Sequence, residues 1–181
     1  MPRYIAFLRG INLGSKRRVS MAKLRETLEE AGYEDVRTLL QSGNVVLTGK
    51  GKAAKLERDL AGTLRDTFGF EIGVVVRTRA ELAAVVANDP FAGEVDDPAR
   101  YQVSFLSAKP AAVRVNELES AAVAPERVAV RGREVYAWHP GGVGRSKLAG
   151  LITDRRLGVE VTARNWRTIT KLLELADEPR S

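Results

Sequence analysis

The chain has 181 residues, a net charge of +6, a single histidine (His139) and no cysteine. This composition excludes disulfides, thiolate metal sites and multi-histidine metal sites. No apolar run approaches the roughly 18 residues that a membrane span needs. The N-terminus, Met1-Pro2-Arg3-Tyr4, leads into a strand pattern instead of a signal peptide. We therefore expect a cytoplasmic α+β protein without membrane association, bound metal or cofactor.

The positive charge is concentrated in two segments of the chain. Residues 1–25 contain seven basic residues and no acidic one, and residues 139–171 contain seven basic and two acidic ones. The rest of the chain is therefore net acidic. Segregated positive charge favours an anionic partner, and a basic surface that is simply solvated is the alternative.

Short apolar runs alternate with helical repeats in the first half. One helix is predicted to begin at the N-cap residue Ser20 and to end at Gly32. A second ends at Gly69, and a third begins with a capping box formed by Thr78 and Glu81. Runs rich in β-branched and aromatic residues predict four strands, at Tyr4–Leu8, Val36–Leu40, Asn44–Thr48 and Ile72–Val76.

The same order of elements returns after residues 90–99, a Pro- and Asp-rich stretch that reads as a linker. The predicted strands of the second half are Tyr101–Leu106, Arg127–Arg131, Glu134–Trp138 and Val159–Val161. Its predicted helices begin at Pro110, extend from about Arg145 to Leu157, and begin again at Thr162. Each half thus matches a ferredoxin-like βαββαβ order plus one helix. We predict two tandem subdomains packed together, at 1–89 and 100–181. Divergent duplication and recurrence of a common unit both explain the repeat.

Two glycine-rich segments lie between a strand and a predicted helix. The first glycine loop is Arg9–Arg18 and the second glycine loop is His139–Lys147. Glycines allow a backbone to approach an anion closely, and a helix N-terminus beyond the loop favours phosphate. Neither loop matches the Walker or dinucleotide pattern. The alternative is a pair of glycine-dependent turns with solvated charges.

Two further segments offer polar side chains at strand or helix ends. Gln41-Ser42-Gly43-Asn44 can donate and accept hydrogen bonds, although Asn and Gly also form hairpin turns for backbone reasons alone. In Arg164-Asn165-Trp166-Arg167 the arginines could grip phosphate. Trp166 shares a helical stripe with Ile169, which indicates a core position.

Residues with catalytic potential are few. A Ser/His/Asp triad would need His139 in contact with a serine, and no G-x-S-x-G sequence supports that arrangement. His139 beside the second glycine loop is a candidate general acid or base. A loop histidine without a special role is the alternative.

Several of these segments together resemble an uncharacterised bacterial family, domain of unknown function 1697. Ser15 and Ser20 stand where the family pattern has glycine and proline. The resemblance covers nearly the whole chain, implies two similar α+β subdomains, and implies no activity. It is carried by Arg3–Gly14, Met21–Arg25, Leu40–Val46, Gly144–Leu148 and Thr162–Thr168.

The leading hypothesis is a binding protein for a phosphate-bearing ligand, either nucleic acid or a nucleotide-like molecule. An enzyme acting on an anionic small molecule is one alternative. A protein-interaction module that uses an open sheet face is another. Oligomeric state is left open. The predicted ligand-binding residues are Arg9, Asn12, Lys16, Arg17, Ser42, Asn44, Arg145, Ser146, Lys147, Arg164 and Asn165.

Overall fold

A computed structural model describes residues 1–180 as a mixed α+β protein with two four-stranded antiparallel sheets. In the first half the elements are β1 (Arg3–Leu8), α1 (Met21–Glu30), β2 (Glu34–Leu39), β3 (Asn44–Thr48), α2 (Ala53–Phe68), β4 (Val74–Thr78) and α3 (Arg79–Ala87). In the second half they are β5 (Tyr101–Leu106), α4 (Ala112–Ala121), β6 (Arg127–Arg131), β7 (Glu134–Trp138), α5 (Asp154–Leu157), β8 (Val161–Asn165) and α6 (Trp166–Asp177).

Both sheets have the same strand order. The first is β2-β3-β1-β4 and the second is β6-β7-β5-β8, with every neighbouring pair antiparallel. In the first sheet Ile5 lies between Val46 and Arg77. The corresponding position of the second sheet is Val103, whose neighbour on β8 is Arg164. The repeat predicted from element order is therefore also a repeat of strand register.

Alternation along the central strands of the first sheet separates two buried faces. In the first sheet Tyr4, Ala6 and Leu8 pack with the leucines of α1 and α2. Residues on the opposite face, such as Phe7 and Arg77, are 0% exposed. At these described positions the first sheet therefore has no open face. A core leucine buried in this way contributes about 1.5–3 kcal/mol.

The chain divides into two compact units, one of which is continuous in sequence and interrupts the other. The interrupted unit is Met1–Ala84 together with residues 171–180, and the continuous unit is Val85–Thr170. Residues of the predicted linker pack within the second unit, where Phe91 is buried and its N–H donates to Asp89 Oδ1 at 2.9 Å. The subdomain limits 1–89 and 100–181 stay a prediction.

The helix caps of the first half are confirmed. The Ser20 hydroxyl accepts the Lys23 N–H at 3.3 Å. Thr78 and Glu81 exchange both bonds of a capping box, at 2.8 and 3.1 Å. A cap places the start of a helix because it satisfies N–H groups that have no partner inside the helix.

Three details of the second half are wrong in the sequence prediction. The helix expected from Arg145 to Leu157 is two 3₁₀ turns, at Val143–Arg145 and Ala149–Leu151, followed by the four-residue α5. The strand expected at Val159–Val161 lies later, as β8. The last helix is capped by Asn165, whose side-chain oxygen accepts the Thr168 N–H at 2.9 Å, while Thr162 is buried within β8. A residue of a type that commonly caps helices can also lie within a strand, and packing decides which of the two positions it takes.

Gly43 provides a direct test of the turn between β2 and β3. Its φ is +91°, and a Cβ there would lie 2.7 Å from Leu8 Cβ and 2.9 Å from Ile11 Cδ1. We expect Gly43→Ala to lower the free energy of unfolding by about 2–5 kcal/mol, from backbone strain and overpacking together. Gly14→Ala is the matched control, because its φ is +80° and nothing lies within 4 Å of its Cβ position. It should cost about 1–2 kcal/mol in the same urea titration. Equal losses would contradict the steric account.

Candidate functional site

The first glycine loop is held by the side chain of Asn12. Its amide nitrogen donates to the carbonyl oxygens of Val19 and Gln41 at 2.9 and 2.8 Å. Its oxygen accepts the Val19 N–H at 2.9 Å. Asn12 adopts a positive φ of 54°, which asparagine tolerates better than most residues. The predicted ligand residue Asn12 thus joins the loop to the β2–β3 turn.

Arg17 also stabilises this loop from within. Its Nε donates to the Gly10 carbonyl at 2.8 Å and an Nη to the Glu71 carbonyl at 2.6 Å. The guanidinium carbon lies 4.8 Å from the centre of the Phe70 ring, within cation–π range. Arg9 is half-buried, with its side chain against Gly73. Lys16 is exposed and has no side-chain partner among residues 1–180.

The polar residues of the β2–β3 turn bond to one another. Asn44 is fully buried, and its amide donates to the Leu39 carbonyl at 2.8 Å and to the Ser42 hydroxyl at 3.1 Å. These bonds close the turn, as its residue types suggested. The structure therefore brings Asn12, Ser42 and Asn44 to one place, where Asn12 and Asn44 bond to backbone carbonyls of the loop and the turn.

A cluster of three polar side chains lies at the second glycine loop. His139, which is 1% exposed, follows directly after β7. Its Nδ1 lies 2.7 Å from the Ser146 hydroxyl and 3.0 Å from Glu126 Oε2. Ser146 in turn donates to Glu126 Oε2 and accepts the Ala149 N–H at 2.9 Å. Glu126 was not predicted, because an isolated acid after Pro125 carries no motif.

This cluster is not arranged as a catalytic relay. A triad places the nucleophile and the acid on opposite nitrogens of the imidazole. Here Ser146 and Glu126 share Nδ1, while Nε2 is buried without a hydrogen-bond partner among residues 1–180. The arrangement binds the start and the end of the second glycine loop together.

Glu126 is ionised in this cluster at neutral pH. Partial burial raises the pKa of its carboxyl, but hydrogen bonds from Ser146 and His139 oppose this and the net effect lowers the pKa. The Leu148 N–H also contributes to the lowering. A carboxylate accepts several donors at once, so it can anchor a short turn that has no helix of its own.

The side chains on either side of Ser146 are free and border a cleft. Arg145 and Lys147 are exposed and have no side-chain partner within the described part of the chain. They line a cleft of about 540 Å³ together with Glu126. The remaining walls are mostly apolar, formed by Ala121, Val123, Ala124, Pro125, Leu148 and Leu151.

Arg164 and Asn165 lie within the fold of the second unit. Arg164 donates to the Thr162 hydroxyl at 2.7 Å and to the Ala163 carbonyl at 2.9 Å, and burial lowers its pKa to about 10. Asn165 caps α6. Trp166 stacks on Tyr101 with ring centres 5.0 Å apart, which agrees with a packing role for these aromatic residues.

Residues 1–180 contain no group of three His, Cys, Asp or Glu side chains suited to a metal ion. None of the helices described in this range combines the length and apolar character needed to cross a bilayer.

The comparisons with known proteins identify a family. The chain belongs to the family described as Protein of unknown function (DUF1697), which matches residues 1–136. A solved structure, that of a conserved bacterial protein, SP0830, from Streptococcus pneumoniae, is similar with a TM-score of 0.79 and 23% identity. The match covers 97% of this chain and 99% of that one, and it shows a shared fold. The search of curated proteins gives no match.

The geometry at His139 predicts its tautomer. Ser146 directs its proton to Glu126, so Nδ1 must carry the proton that it shares with these oxygens. We expect ¹⁵N-correlated NMR at pH 8 to show a protonated Nδ1. Since His139 is the single histidine, the signal needs no assignment. An unprotonated Nδ1 at that pH would contradict the described cluster.

Proposed function

We propose that the chain binds a phosphate-bearing, nucleotide-like ligand in the cleft bordered by Arg145 and Lys147. The observation that supports this most is the pair of exposed cations without partners beside an apolar wall. Charged side chains with no internal partner are available to an anion. Most other predicted site residues already form hydrogen bonds within their own part of the fold.

The size and lining of the cleft suit a small molecule. Ligand sites commonly enclose about 300–1,000 Å³, with apolar walls and a few polar groups that fix orientation. The cleft of about 540 Å³ lies in this range. Its apolar residues would contact a base or another ring, while Arg145 and Lys147 would bind the phosphate. Arginine matches phosphate geometry with two parallel hydrogen bonds.

Removing the two cations should abolish most of the binding. We expect Arg145→Ala/Lys147→Ala to weaken ADP binding at least tenfold by calorimetry, since a hydrogen bond to a charged group contributes about 1.5–3 kcal/mol. Adenosine, which lacks phosphate, should bind the unmodified protein at least tenfold more weakly than ADP.

A control variant separates this site from general electrostatics. Lys109→Ala/Arg155→Ala removes the same charge from exposed positions of the same unit that lie outside this cleft. It should bind ADP within twofold of the unmodified protein at moderate salt. If both double variants lose affinity equally, the effect is long-range and the cleft is not the site.

The first glycine loop supports a second candidate, a nucleic-acid surface. Lys16 and Arg18 are exposed and have no side-chain partner within residues 1–180, in a segment with no acidic residue before Glu26. Phosphate contacts of this kind give affinity without requiring a closed pocket. In this candidate Arg9 and Arg17 add to the local potential.

This second candidate predicts a salt dependence. Log K for single-stranded RNA should fall with log salt at a slope of about −0.7 per neutralised phosphate. Lys16→Ala/Arg18→Ala should reduce that slope by about 1.4, measured by fluorescence anisotropy at several salt concentrations. Binding that is absent, or a slope that these changes leave intact, would remove the first glycine loop as a nucleic-acid surface.

We further propose that each unit is a ferredoxin-like domain and that the protein acts in the cytoplasm. The strand orders β2-β3-β1-β4 and β6-β7-β5-β8, each with helices between its strands, support the first point. The absence of cysteine is compatible with a reducing compartment.

A further inference from the structure

We propose that Glu126, Ser146 and His139 are positioning residues that hold Arg145 and Lys147 in their binding arrangement. This inference rests on the proposed binding of a phosphate-bearing ligand in the same cleft. None of the three needs to touch the ligand. Their role is to order the segment that presents the two cations.

Ser146 is the central residue of this arrangement because it lies between the two cations in sequence. Its hydroxyl donates to Glu126 and accepts the Ala149 N–H at 2.9 Å. Both the donor and an acceptor site of the hydroxyl are therefore used to fix the backbone at this residue. The side chains of Arg145 and Lys147 therefore extend from a backbone that is already ordered.

Glu126 anchors the segment from outside the loop. Its carboxylate accepts hydrogen bonds from the Ser146 hydroxyl, from His139 Nδ1 and from the Leu148 N–H. The residues on both sides of Lys147 are thus bound to one carboxylate. That carboxylate precedes β6, an element of the sheet, so a rigid part of the fold sets the position of the loop.

His139 closes the loop at its other end. Its Nδ1 lies 2.7 Å from the Ser146 hydroxyl, and its carbonyl accepts the Gly142 N–H at 2.9 Å. The stretch from residue 139 to residue 146 is therefore a closed ring with a tight turn inside it. Three glycines in this stretch would otherwise leave it with many conformations.

The consequence is affinity gained through preorganisation. A ligand that must order a flexible basic loop loses part of its binding free energy to that ordering. A loop closed before binding avoids this loss. The same geometry makes Ser146 a poor candidate for a ligand contact, since its hydroxyl is occupied on both sides.

The test compares a matched pair of substitutions at His139. His139→Asn keeps a donor at the place of Nδ1, whereas His139→Leu removes it. We expect His139→Leu to weaken ADP binding about tenfold and His139→Asn to remain within threefold of the unmodified protein. Ser146→Ala should weaken binding about tenfold, and it serves as the deciding variant if His139→Leu fails to fold.

A further control separates this network from other carboxylates. Glu126→Ala, which removes the acceptor oxygen shared by Ser146 and His139, should weaken binding, whereas Glu119→Ala should not. Glu119 likewise accepts a backbone N–H, that of Val130 at 3.1 Å, but it does not contact the loop. ADP binding that is unchanged in His139→Leu and Ser146→Ala, yet lost in Arg145→Ala/Lys147→Ala, would overturn the positioning role and leave the binding site standing.

A readout without ligand keeps the two proposals distinguishable. In ¹⁵N relaxation, the amides of residues 141–147 should be as ordered as those of β7 in the unmodified protein and in His139→Asn. They should become mobile in His139→Leu or Ser146→Ala. If ADP does not bind at all, the proposed function fails, and this measurement still decides whether the network orders the loop. Unchanged order in those variants would refute it.

Discussion

The burial of both faces of the central strands is the constraint on which the rest of the structure depends. In β1 every residue from Tyr4 to Leu8 is at most 3% exposed, and in β5 the side chains on the face away from the helices are buried too. A strand buried on both faces has no surface at which to present chemistry. Ligand chemistry must therefore lie in the connections that leave the strand ends, as it does in many proteins.

The two glycine loops differ in how many of their basic side chains remain available to a ligand. The first is closed by Asn12 and Arg17, whose side chains bond to backbone carbonyls and thereby become part of the scaffold. The second is closed by the Ser146 hydroxyl, the His139 imidazole and one carboxylate, which leaves Arg145 and Lys147 unengaged. The number of basic residues in a loop is thus a poor guide to its available charge. The available charge depends on which basic side chains already donate to backbone carbonyls.

Much of the architecture could be predicted from the sequence, and the site only in part. The order of strands and helices along the chain follows from local patterns, and so do helix caps such as Ser20 and Thr78. Caps and apolar periodicity act over only a few residues. Thr162 was predicted to cap the last helix, but Asn165 caps it, since both residue types can cap a helix and the choice depends on packing. Glu126 was missed altogether: it lies 20 positions from Ser146, and their bond exists only after folding.

The paired positions of Arg77 and Arg164 have a consequence for the history of the chain. Each is the penultimate residue of the last strand of its sheet, donates to the carbonyl before it, and precedes a helix-capping residue. A buried cation is costly, so its recurrence at one register position favours descent from a single ancestral unit over chance recurrence. The two halves differ in which connection is long. Twelve residues separate β1 from α1 but only five separate β5 from α4, whereas the long connection of the second half follows β7. Like strand orders thus carry their basic loops at different strand ends.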